Sequence, residues 1–113
     1  MAVDYLVKIE IDVFRGFQYF QWTGHRLISN DLDDAFNKPK IEWRFGSNGP
    51  DHVYTAFLRI QTDIPNDMTE EEAKKLIKLV IESYGDEVIP PVITFIKIPE
   101  SFSNQDIFKL FMF

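Results

Sequence analysis

The sequence predicts an α+β fold: a mostly antiparallel sheet carrying one long amphipathic helix and one short helix. Three patterns predict it. Residues 3–13 alternate apolar and polar, residues 69–84 carry an apolar stripe at helical spacing, and extended runs separated by turn residues lie between and after them.

In the first run Val3, Tyr5, Val7, Ile9, Ile11 and Val13 alternate with Asp4, Lys8, Glu10 and Asp12. Period two sends each set to its own face, as in a half-buried strand, and only Leu6 breaks the pattern. Arg15-Gly16 offers a turn, and Phe17, Tyr19 and Trp22 alternate imperfectly with Gln18 and Gln21, which predicts a second extended segment and a hairpin. Gly24 then acts as a breaker. Ser29 or Asn30 is the expected N-cap of a short helix over about 30–37, with Asp31, Asp33 and Asp34 in its first turn, where carboxylates suit the helix dipole. Pro39 stops that helix.

Ile41, Trp43 and Phe45 alternate with Glu42 and Arg44, and the turn-rich stretch from Gly46 to Pro50 leads into a β-prone run from Val53 to Thr62, so a hairpin is expected. Thr69 and Glu72 have capping-box spacing. From there Ala73, Leu76, Ile77, Val80, Ile81 and Tyr84 form one stripe, and Gly85 ends the helix. Its outer face pairs Glu70 with Lys74 and Glu71 with Lys75 in the favourable order. After Pro90-Pro91, residues 92–98 are apolar on both faces, which predicts a central strand. This is the split βαβ order of ferredoxin-like folds, with the long helix across one sheet face.

One domain of 113 residues is expected, able to bury roughly two thirds of its unfolded surface without a staple. Eighteen acidic against twelve basic side chains oppose binding to a phosphate backbone, so nucleic acid is disfavoured as a partner. The absence of cysteine excludes disulfides, thiolate catalysis and thiolate metal sites and fits a reducing compartment. No apolar run approaches the length of a membrane span, and Asp4 stands where a signal peptide carries positive charge. A soluble, cytoplasmic protein is expected.

No catalytic, metal or cofactor motif emerges. His25 and His52 lack metal-binding spacing, and Asp31, Asp33 and Asp34 fail the calcium-loop pattern at Ala35 and Phe36. The glycine-containing turn near Gly46 lacks the lysine and helix of a phosphate loop, and the aromatics Phe17, Tyr19, Phe20 and Trp22 lack the basic rim of a single-strand platform. Residues 107–113 hold six apolar side chains in seven, so Phe108, Phe111 and Phe113 call for cover, at least in part from a second chain; a homodimer is expected.

These features predict a small acidic, non-enzymatic interaction module that covers a basic surface on another protein, such as a basic enzyme. Inhibitors and immunity proteins of the phage or mobile-element kind fit that description. The expected contacts are Asp31, Asp33, Asp34, Phe108, Phe111 and Phe113, with no cofactor. The alternative is a small ligand-binding or enzymatic α+β domain acting as an oligomer, with chemistry from His25, His52, Arg44 or Arg59.

Overall fold

The computed structural model describes residues 1–12, 14–48, 53–85 and 90–98. Strand β1 is Ala2–Ile11, followed by helix α1 (Phe14–Tyr19), a π-helical turn (Phe20–Gly24) and helix α2 (His25–Ala35). Strands β2 (Lys40–Asn48) and β3 (Val53–Asp63), helix α3 (Glu70–Ser83) and strand β4 (Val92–Lys97) complete the order. The sheet runs β2-β3-β1-β4 with every neighbouring pair antiparallel. This is a ferredoxin-like arrangement, as the order of elements predicts.

The odd residues of β1 face the helices. Tyr5, Val7, Ile9 and Ile11 are buried against Ile28 and Leu32 of α2 and Ala73, Ile77 and Ile81 of α3. Ala56, Leu58 and Ile60 of β3 complete this core, and the two helices together shield one sheet face from water. Helix α3 has the expected capping box: Thr69 Oγ1 accepts from the Glu72 N–H, and the Glu72 carboxylate accepts from the Thr69 N–H. Beyond its other end a side chain on Gly85 would stand 2.6 Å from the Pro91 ring, so any larger residue there would force one of the two to shift.

Several expectations are corrected. The segment from Phe17 to Trp22 is helical rather than extended, so no hairpin follows β1, and the short helix over 30–37 is the end of a helical run that begins at Phe14. Phe17, Phe20, Gly24, Ile28, Leu32 and Phe36 are all buried at spacings of three or four, the stripe of a helix rather than a strand. Among the described residues strand β4 lies at the edge of the sheet, where a central strand was expected. Gly46, Ser47 and Asn48 extend β2 instead of forming a turn. On α3, Lys74 pairs with Glu71 at 3.6 Å and its ammonium lies over the Tyr5 ring, while Glu70 accepts a hydrogen bond from the Tyr5 hydroxyl.

Candidate interaction surface

The helical run from α1 to α2 is pinned from beneath by aromatic packing. The His25 N–H at Nδ1 donates to the Phe20 carbonyl at 2.8 Å, since a carbonyl can only accept, and the imidazole packs edge-on against Trp43 and Phe45. The Trp43 indole donates to Ser29 Oγ at 2.9 Å, and Ser29 Oγ donates to the His25 carbonyl at 2.8 Å. Ser29 is therefore spent inside α2 and does not cap a helix. The extra residue of the π-helical turn needs close packing: a Cβ on Gly24 would approach the Tyr19 ring at 3.0 Å. Such single π turns concentrate at functional sites because they re-aim the side chains around them.

With Phe17 and Phe20 turned inward, the outward face of the run carries Tyr19, Trp22, Arg26, Leu27, Asn30, Asp33 and Asp34. Trp22 is 63% exposed, an unusual place for so large an apolar surface. From Trp22 the face continues through Arg26 and Asn30 to Asp33, roughly 16 Å along the helix at 1.5 Å per residue. One end of the face is thus aromatic and the other acidic.

The three aspartates do not act alike. Asp31 accepts a hydrogen bond from the Tyr84 hydroxyl at 2.6 Å, which ties α2 to the end of α3 and pushes the Tyr84 phenol above its ordinary range. Asp33 and Asp34 are exposed and make no hydrogen bond or ion pair among the described residues. Because α2 starts at His25 and ends at Ala35, they occupy its last turn, not the first turn that the sequence suggests. Carboxylates at that end oppose the helix dipole, whereas α3 places Glu70, Glu71 and Glu72 at the favourable end.

A cleft of about 500 Å³ opens at the end of the sheet where β1 begins and β3 ends. Asp4, Tyr5, Lys38, Gln61, Asp63 and Glu70 line it. Arg59 grips Asp4 with two hydrogen bonds, of 3.1 and 2.8 Å, which raise the guanidinium pKa further, and Gln61 donates to the same carboxylate at 3.3 Å. Tyr5 is buried and donates to Glu70, so desolvation first and that carboxylate second push its phenol well above 10.0. Neither His25 nor Arg44 lines the cleft. Among the described residues no group of three acidic or histidine side chains could hold a metal ion. Phe108, Phe111, Phe113 and His52 lie outside the described residues.

No family model matches the chain, and no curated protein matches it either. Among solved structures it is similar to a de novo designed protein with a ferredoxin fold, determined by NMR in solution, at 20% identity and a TM-score of 0.51. The match covers 92% of this chain and 93% of the designed one. At that identity the likeness concerns the fold alone, and a fold does not name a function.

Proposed function

We propose that this protein is a non-enzymatic acidic module that docks on a basic surface of another protein through the outward face of its α1–α2 run. The observation that carries the reading is the position of Asp33 and Asp34, exposed in the last turn of α2 where the helix dipole disfavours them. Side chains kept at a local cost are the ones to suspect of serving something outside the fold. Trp22 supplies an aromatic anchor on the same face, and interfaces draw much of their energy from such residues. A net charge of -6 favours encounter with a basic partner, and an inhibitor or immunity-type protein of a phage or mobile element, acting in the cytoplasm, needs no more chemistry than this.

The test is affinity capture at low and at moderate salt with the wild type, Asp33→Lys/Asp34→Lys and Trp22→Ala, with the captured protein identified. The reading predicts one stoichiometric basic partner, weakened by salt and lost with the charge reversal. Capture that is indifferent to all three changes removes this face as the docking surface. The cleft beside Asp4 and Glu70 favours a second reading, a small ligand-binding domain, whose ligand would be retained by the charge-reversed protein.

A further inference from the structure

Among the described residues the sheet has two edges, and they are unlike. Strand β4 is six residues long and begins directly after Pro90 and Pro91. Short length and flanking proline are devices that keep an edge from pairing with another chain. Strand β2 has nine residues and no proline, and it pairs with β3 in one unbroken register from Lys40–Gln61 to Asn48–Val53, so no bulge twists it away. Among the described residues β2 has a strand neighbour on one side only. Every second residue of such a strand turns its N–H and C=O to the open side, where they can extend the sheet by one more strand.

The side chains of β2 select the strand that fits. Ile41, Trp43 and Phe45 are half-buried on the face that carries the helices, with the Trp43 and Phe45 rings stacked at 6.0 Å. Glu42 and Arg44 alternate with them on the other face, beside Arg59 and Phe57 of β3. Opposite residues of an antiparallel pair share a face, so a second β2 can be laid against the first only about a two-fold axis that passes through a residue position. An axis at Glu42 sets Glu42 against its own copy and Lys40 against Arg44, and an axis at Arg44 sets Arg44 against its own copy. An axis at Trp43 instead sets Glu42 opposite Arg44 twice, Ile41 opposite Phe45 twice, and Trp43 opposite Trp43. Opposite charges and aromatic or β-branched partners directly across a strand pair stabilise it, and like charges there destabilise it.

We infer that β2 is a dimer edge: a second copy of this chain adds its own β2 antiparallel to the first about a two-fold axis at Trp43, joining two four-stranded sheets into one. Charge chooses the occupant, because Glu42 and Arg44 on either side of Trp43 make the strand its own complement in this register. The contact is distinct from the outward face of the α1–α2 run, which remains available to a different protein.

Sedimentation equilibrium at moderate salt tests the inference, since salt screens the net charge of -6 on each copy more than it screens close ion pairs. The wild type should dimerise in a concentration-dependent way. Arg44→Glu sets two carboxylates opposite each other at both places and should raise the dimer Kd by about tenfold or more. Glu42→Arg does the same with two guanidinium groups, and an equimolar mixture of the two variants should dimerise again because each charge then faces its opposite. A wild type that stays monomeric to its solubility limit, a dimer that neither variant weakens, or a mixture that stays monomeric overturns the inference. Should Glu42→Arg disturb folding beside Arg59, the folded Arg44→Glu protein decides alone: a weakened dimer supports the edge and an unweakened one overturns it.

Discussion

The two helical segments of this protein lie against the same sheet face with similar inner stripes, yet their ends follow opposite plans. Helix α3 begins with a reciprocal Thr69–Glu72 cap and three glutamates in its first turn. Helix α2 has no side-chain cap where it continues from the π-helical turn, no acidic residue in its first turn and two exposed aspartates in its last. Inner faces answer to the core. Helix ends exposed to water answer either to local stability or to something outside the molecule, and only α3 satisfies the first.

The largest expected effect tests the shared part of this comparison. Ile77→Ala in α3 and Leu32→Ala in α2, both fully buried, should each cost about 2–5 kcal/mol in denaturant unfolding. A loss for Leu32→Ala far below that for Ile77→Ala would show that α2 is loosely packed and that its composition needs no further explanation.

The ends should then separate. Thr69→Ala removes the cap of α3 and should cost about 1 kcal/mol. Tyr84→Phe removes the tie to Asp31 and should give a smaller loss in the same assay, which makes Asp31 a structural residue and leaves Asp33 and Asp34 as the external ones. If Tyr84→Phe instead matched a core truncation, α2 would depend on that tie more than on its buried stripe.

Titration distinguishes the same regions. The folded-state pKa of Tyr5 is raised above 10.0, so the folded protein holds that proton more tightly than the unfolded chain. Its contribution is fully present below pH 10.0 and is lost as the pH rises beyond it. Urea midpoints should hold from neutrality to about pH 10 and fall above it. In Tyr5→Phe this part of the alkaline fall should disappear. An unchanged alkaline limb in that variant would mean that Tyr5 does not carry the effect.

The contrast between the helices also explains what could be read from the sequence. Helix α3 was legible because stripe, cap and terminal glycine agree, and β1 because its alternation is nearly unbroken. The α1–α2 run was obscured by Gly16 and Gly24, which read as breakers, and by Phe17 and Tyr19, which alternate with glutamine as in a strand. The signal that finds it is the longer-range spacing of Phe17, Phe20, Gly24, Ile28 and Leu32, with the π-helical turn inserting a residue partway. Because the helix starts at His25 and not near Asn30, Asp33 and Asp34 stand at the end of the helix dipole that disfavours them. Strand β4 resembles a central strand because Ile96, with Ile98 just beyond the strand, joins a small buried cluster on the second sheet face, and Leu6, the apparent error in β1, belongs to that same cluster.

Unfolding of Asp33→Lys/Asp34→Lys in urea bears most directly on the claim that these carboxylates serve a partner and not the helix. Reversing charge at the last turn of α2 should leave the protein as stable as the wild type or more so, by about 0.3–1 kcal/mol per position. A loss of about 1–2 kcal/mol, as carboxylates favourably placed on the dipole would give, would contradict it.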